Sequence, residues 1–441
     1  MGWGSEHAQT VFETLDGAFV GDGIVVAVAA VDAGGAAFSH SAGLPEDARF
    51  EIGSITKTMT AALLASLVGD GVVALTDEIG RWLDGGPNAG ITLEQLATHT
   101  SGLPRLAPNQ PTEETNPYRD FTAELAEEGL RAATRTPDAR SVYSNFGYQL
   151  LGLVLERACG QRYQDLLAER LLGPLGMTCS GIGGAGGGTR LTGHAGGKPT
   201  GHWDFALPGL GGVEATVGDL ARYLSACLAP PAGPLGAAIR LCEQPRVRMD
   251  GGNASGLAWI ITGGLLFHNG GTSGFSASVA IDQAAGHAVG ALVNTHGRSV
   301  SLLDAVVITA VNGGDPRHAR PRGAGEPAGP EWEQRAGDMA QALLDGRFSE
   351  IHKNLTPQGQ ARLSAERLAQ MWQFALQKVG DPGSASVSCR SLADGIAAPG
   401  EVAALIAFAG SRQPLRLLVR FIGSGQIASL RVIGPDEAAP W

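Results

Sequence analysis

The chain has 441 residues, with 32 Lys plus Arg against 43 Asp plus Glu and a formal net charge of −11 at pH 7. That balance excludes nucleic acid and anionic membrane surfaces as main partners, because phosphate binding needs clustered cations. A hydrophobic content of 44% with 17% charged residues excludes wholesale disorder, and the length suggests two or three domains, or one large domain with an appendage.

At the N-terminus, Met1 to His7 shows no basic segment leading into an apolar stretch, so no secretory leader is expected. The longest apolar run, Ile24 to Ala30, is too short to span a bilayer and reads as a buried strand. The expected location is therefore cytoplasmic, with no membrane span. Val25–Val28 and Ala36–Phe38 predict a hairpin turning at Asp32-Ala33-Gly34-Gly35. Ile55 to Leu67 predicts a helix opened by Ser54 and closed near Gly69-Asp70-Gly71. Ser144 to Cys159 predicts a second helix, and Val217 to Leu228 a third, with Asp219 suited to the helix dipole in its first turn. The run Gly181 to Gly188 formally contains G-x-G-x-x-G, but more loop follows where a dinucleotide fingerprint needs a helix, so no nucleotide cofactor is expected.

Residues 313–330 hold Pro316, Pro321, Pro327 and Pro330 among many glycines and almost no large apolar side chain, a composition that reads as a linker. Beyond it, Trp332–Arg347 and Ser364–Val379 predict helices. Ser384–Cys389, Val402–Phe408, Leu415–Ile422 and Gln426–Ile433 predict strands. The expected organisation is a domain over 1–312, the linker over 313–330, and a small α+β domain over 331–441.

Five cysteines lie far apart with no C-x-x-C pair, and the histidines lack ligand spacing, so neither a disulfide framework nor a metal site is expected. The chemistry concentrates elsewhere. Ser54 and Lys57 stand three apart, one turn of a helix, where an amine of depressed pKa can take the proton of a serine hydroxyl and make it nucleophilic. Alone, S-x-x-K is a weak signal, because a serine before a helix is commonly just a cap. It has companions in Tyr143-Ser144-Asn145 (Y-x-N) before a helix, and in His268-Asn269-Gly270-Gly271-Thr272 (H-x-G) before a strand.

With these motifs, and with Thr98-His99-Thr100-Ser101-Gly102-Leu103-Pro104 and Gly211-Gly212-Val213 between them, the chain resembles the serine beta-lactamase and penicillin-binding-protein superfamily. Its class C beta-lactamase-like branch, with DD-carboxypeptidases and family VIII esterases, is the nearest in pattern. The region after Glu331 resembles NTF2-like accessory domains. The resemblance implies an α+β beta-lactamase/transpeptidase-like fold, an antiparallel sheet flanked by helices plus a helical subdomain, with the site between them.

It further implies Ser54 as the acylated nucleophile, Lys57 as its deprotonating partner, and Tyr143 as general base or relay. Asn145 would contact the acyl side chain and Lys57. The N–H groups of Ser54 and Gly271, in the Gly270-Gly271-Thr272 stretch, would hold the oxyanion and substrate, with His268 lining the site. Where beta-lactamases of this superfamily carry lysine in K-T-G, this chain has His268, largely neutral at pH 7 with an ordinary pKa of about 6.5. Efficient beta-lactam hydrolysis is therefore not expected. The implied activity is acyl transfer from a small ester, amide or peptide to water, with no metal or organic cofactor. Transfer to an amine or alcohol, DD-carboxypeptidase activity and a catalytically silent receptor are the alternatives. His99 reads as a structural turn residue, and Trp203-Asp204-Phe205 equally as a loop bordering the pocket or as packed surface aromatics.

Overall fold

The structure is a computed structural model and describes the chain apart from residues 1–2, 112–115, 137–141, 250–251, 297–298, 320–327, 392–401, 411–413, 423–424 and 434–441. It divides into two compact units, Met1–Ala319 and Arg320–Trp441.

The first unit is built on an eight-stranded antiparallel sheet. Its strands run, in spatial order, Gly35–His40, Val26–Asp32, His287–Val293, Ser276–Asp282, Leu265–Gly271, Ile260–Thr262, Ala254–Ser255 and Val247–Arg248. The expected hairpin is present, and Asp32 Oδ1 accepts the Gly34 N–H at 2.7 Å to fix its turn. The strand Val26–Asp32 is apolar on both faces because both are covered. Val26, Val28 and Ala30 pack with Val11 and Leu15 of the helix Trp3–Asp16 and with Val306 and Val307 of the helix Ser299–Val311. Ala27, Ala29 and Val31 face the larger core, which also holds Leu220 and Leu224 of the helix Val217–Leu228.

The helical part contributes Thr56–Gly69, whose buried residues surround its whole circumference, and Asn145–Cys159. Ser144 caps the latter by accepting the Gly147 N–H, and Gly160, at φ +64, ends it in the left-handed conformation that glycine adopts without a Cβ penalty. Asp219 is more than a dipole carboxylate. It is buried, and its Oδ2 accepts from the Cys179 N–H and the Ser180 hydroxyl. The glycine-rich run 181–188 leads into a short strand, Thr189–Arg190, lying parallel to Ala48–Glu51, with no phosphate-binding helix after it. Within the segment read as linker, Pro316–His318 forms a 3-10 turn capped by Asp315, and Ala319 joins the core of the first unit. Residues 320–327 of that segment lie outside the described residues.

The second unit places four helices, Pro330–Leu344, Phe348–Asn354, Pro357–Arg362 and Ala365–Val379, before a four-stranded antiparallel meander of Ala385–Ser391, Val402–Phe408, Leu415–Phe421 and Ile427–Ile433. The two middle helices are absent from the sequence expectation. The second of them nonetheless carried a start signal, Thr356 as cap and Pro357 in the first turn. Alternation along Leu415–Phe421 turns Leu415, Leu417, Val419 and Phe421 into a core shared with Met339 and Trp372.

Candidate active site

Ser54 stands in a 3-10 turn, Gly53–Ile55, that leads directly into the helix Thr56–Gly69, and its side chain caps neither element. The capping role that most serines before helices fill is thus not its role. Lys57 Nζ donates to Ser54 Oγ at 2.9 Å and to the Leu210 carbonyl at 2.7 Å. The Lys57 side chain is fully buried, and burial, with the Arg105 guanidinium as the second cause, drives its pKa well below the ordinary lysine value. A desolvated amine held on a serine oxygen is a ready proton acceptor once it is neutral.

Tyr143 converges on the same hydroxyl from the other side of the sequence. The Ser54 side chain lies close enough to its phenol to act on its pKa, while Lys57 Nζ lies 4.9 Å and the Arg105 guanidinium carbon 5.3 Å from its ring centre. Burial pushes the phenol up to about 12, against the opposing pull of Ser54 and Arg105. Tyr143 is therefore protonated at neutral pH.

His99 sets the chain that delivers Tyr143. It sits in the left-handed region at φ +61, a conformation rare for a side-chain-bearing residue. Its Nδ1 accepts the Ser144 N–H at 3.1 Å, its carbonyl accepts the Val142 N–H at 2.8 Å, and its ring lies 4.5 Å from that of Tyr143. The turn role read from the sequence is present, but at the heart of the site. Burial, then the positive charge of Lys57, holds His99 well below the usual histidine pKa, hence neutral.

Asn145 opens its helix rather than capping it. Its Nδ2 donates to the Tyr118 hydroxyl at 2.9 Å, and its Oδ1 is buried without a partner. The implied contact with Lys57 is thus absent as a hydrogen bond, since Asn145 Oδ1 accepts from no group and the lysine's bonds go to Ser54 and Leu210. Tyr118 was missed by sequence reasoning. It stacks on Phe205 at 5.2 Å and meets Trp203 edge-on at 5.2 Å, so the 203–205 loop packs its aromatics against the partner of Asn145.

The strand Leu265–Gly271 brings the remaining residues. His268 Nδ1 donates to the Asn269 carbonyl at 2.6 Å, an assignment that follows from the carbonyl being only an acceptor. Its Nε2 is left bare, buried and unpartnered. Burial, then Lys57, pushes the ring down to about 3, so His268 is neutral, as the K-T-G departure suggested. Its ring centre lies 6.5 Å from that of Tyr143. On the opposite face of the strand, Asp304 accepts from Asn269 and Ser278 at 2.7 Å each, pinning two neighbouring strands.

Glycines let this strand reach Ser54. A Cβ at Gly270 would lie 2.0 Å from the Ile52 carbonyl and 3.0 Å from the Ser54 nitrogen, and one at Gly53, itself at φ +50, would lie 2.5 Å from the Gly271 nitrogen. The two candidate oxyanion donors are thereby brought side by side. The Thr272 hydroxyl is buried and unpartnered beside them in sequence. Gly270→Ala is expected to destabilise the fold by about 1–3 kcal/mol through overpacking and to slow acylation of Ser54 at least tenfold. Gly187→Ala, in open space, is the control. Thermal melts and labelling rates check both.

Among the described residues, Glu51, His202 and Glu214 gather three potential metal-ligand atoms. The donor set does not suit a cation. Glu214 is already engaged by Arg49, at 3.2 Å, and by Arg190 through two nitrogens, while Glu51 Oε1 accepts from His202 and the Trp203 N–H. The two guanidinium groups on Glu214 offset the charges of both carboxylates, leaving no net negative charge for a metal to neutralise.

A sheet carrying His268 and Gly271 against a helix that starts at Ser54 and Lys57, with Tyr143 entering from the helical part, defines a serine acyl-transfer fold. The Beta-lactamase family model matches residues 14–312, and the chain belongs to that family. Among curated proteins it is similar to penicillin-binding protein 4* of Bacillus subtilis (strain 168), 32% identical over 185 residues, covering 39% of this chain and 40% of that protein. It is also similar to D-alanyl-D-alanine-carboxypeptidase/endopeptidase AmpH of Escherichia coli (strain K12), 31% identical over 203 residues, covering 40% and 48%. Protein flp of Staphylococcus aureus (strain MRSA252) is 30% identical over 138 residues, covering 30% and 27%. The matches span less than half the length of each of these relatives. Among the described residues, no helix is long and apolar enough to cross a membrane.

Proposed function

We propose that the chain is a serine hydrolase acting on an ester, amide or peptide bond through a covalent acyl-Ser54 intermediate. The observation that carries this reading is the Ser54 hydroxyl held between the buried Lys57 amine and the Tyr143 phenol. Neutral Lys57 takes the Ser54 proton as Oγ attacks the substrate carbonyl. The N–H groups of Ser54 and Gly271 hold the oxyanion, worth about 10²–10³ in rate per donor in sites of this kind. Tyr143, protonated at rest, relays that proton to the leaving group and later helps withdraw one from the attacking water. Asn145 and Thr272 offer unpaired polar atoms to the substrate, and His268 offers its bare Nε2 as an acceptor.

The printed name of the AmpH relative supports a D-alanyl-D-alanine peptide as one substrate arm. The neutral His268 supports slow cephalosporin turnover, since it lacks a cation to grip a beta-lactam carboxylate. The five unpaired thiols support a cytoplasmic location, and the order helices-then-meander supports an NTF2-like accessory role for residues 331–441.

The test compares wild type with Ser54→Ala on a chromogenic short-chain ester, a cephalosporin and a D-alanyl-D-alanine peptide. Ester turnover is expected in wild type alone, and the cephalosporin is expected to be the slower of the two chromogenic substrates. Equal turnover in Ser54→Ala overturns the reading. Rapid cephalosporin hydrolysis overturns the role given to His268.

A further inference from the structure

Arg105 is exposed at the site, with its guanidinium stacked over the Tyr143 ring. Other arginines of this unit, such as Arg49, Arg131, Arg162 and Arg246, each face a carboxylate, whereas among the described residues Arg105 has no acidic partner. Its backbone is fixed, since its carbonyl accepts the N–H groups of both Asn145 and Phe146, at 3.0 and 3.1 Å. The side chain thus rises from a rigid point at the start of the Asn145 helix.

Arg105 lies over Tyr143 and its carbonyl holds the start of the Asn145 helix, and its charge acts on Lys57, His99, Tyr118 and Tyr143, while the charge acting on His268 comes from Lys57. Asn145, the residue read as facing the acyl chain, is hydrogen-bonded to Tyr118, one of the groups this charge acts on. His99 and His268 are neutral, so among the described residues it is Arg105 that sets a permanent positive charge beside Tyr143.

We propose that Arg105 anchors an anionic group on the acyl portion of the substrate, so that the enzyme takes half-esters or half-amides of dicarboxylic acids. This rests on the acyl-Ser54 reading. A guanidinium is always charged and pairs a carboxylate with two parallel hydrogen bonds, and its stacking on Tyr143 pre-orders it for that contact.

The experiment measures kcat/KM for three chromogenic esters: 4-nitrophenyl hydrogen glutarate, its neutral counterpart of equal chain length 4-nitrophenyl valerate, and a valerate ester whose carboxylate is on the phenol. Wild type, Arg105→Gln, Arg105→Lys and Arg105→Glu are compared, with labelling of Ser54 by a neutral fluorophosphonate in each. The glutarate-to-valerate ratio is expected to fall about 10- to 100-fold in Arg105→Gln. Arg105→Lys should restore part of it, and Arg105→Glu should favour a trimethylammonio acyl ester instead. A ratio unchanged within twofold while Ser54 still labels overturns the anchor and spares the nucleophile. So does a preference that follows the carboxylate on the phenol. No labelling of Ser54 in wild type overturns both.

Discussion

Lys57→Met is expected to lower kcat/KM for an ester by about 10³- to 10⁴-fold, the upper part of the range for removing a positioned base. The nearly isosteric methionine keeps the core filled around a side chain that is wholly buried. It takes away both the donor on Ser54 Oγ and the acceptor that must receive the serine proton. The wild-type rate should rise with pH through the depressed Lys57 pKa, because only the neutral amine accepts a proton, and the variant should lose that limb.

The same shift has a stability consequence of fixed sign. In the unfolded chain Lys57 titrates near the ordinary lysine value; in the folded chain it titrates well below that value. Between the two values the unfolded state binds more protons, so stability attributable to this residue rises as pH increases through that window. Raising the pH from 7 to 9 should therefore improve the thermal midpoint of wild type relative to Lys57→Met. Melting both proteins at the two pH values checks it.

Tyr143→Phe is expected to cost about 10²- to 10⁴-fold in kcat/KM with little change in fold stability. The ring, its place under Arg105 and its contact with His99 all survive the substitution, whereas the hydroxyl that faces Ser54 does not. With the phenol pushed up to about 12, wild type should show no activity limb from phenolate formation anywhere between pH 6 and 10. A limb in that range, lost in Tyr143→Phe, contradicts the relay role and makes Tyr143 the resting base. A pH–rate profile of both proteins separates the two.

Residues that act through one turn of helix were the easiest to read. Ser54 and Lys57 are three apart, so local geometry alone brings them together, and the Tyr143 and His268 motifs followed by their order along the chain. The hairpin, the helices beginning near Ser54, Ser144 and Val217 and the closing meander were legible because apolar periodicity marks faces that must be buried, whereas the helices Trp3–Asp16 and Ser299–Val311 were not read. What sequence did not reveal depends on distant backbone. The carbonyl of Leu210 that holds Lys57, the Tyr118 hydroxyl that claims Asn145, and the Arg105 stacking on Tyr143 are contacts between loops. Nothing in local composition encodes them. His99 was read for its turn but not for the ring that supports Tyr143, because its left-handed backbone is a tertiary outcome. Gly270 and Gly53 were plain glycines in sequence, and only the close approach of strand to helix gives them a purpose.

The proposed chemistry turns on a covalent bond to one oxygen, that of Ser54. Intact-protein mass spectrometry after brief incubation with a fluorophosphonate, followed by peptide mapping, tests it most directly. A single adduct is expected, on the peptide containing Ser54, formed far more slowly in Lys57→Met and absent in Ser54→Ala. An adduct on any other residue, or equal labelling of Ser54→Ala, contradicts it.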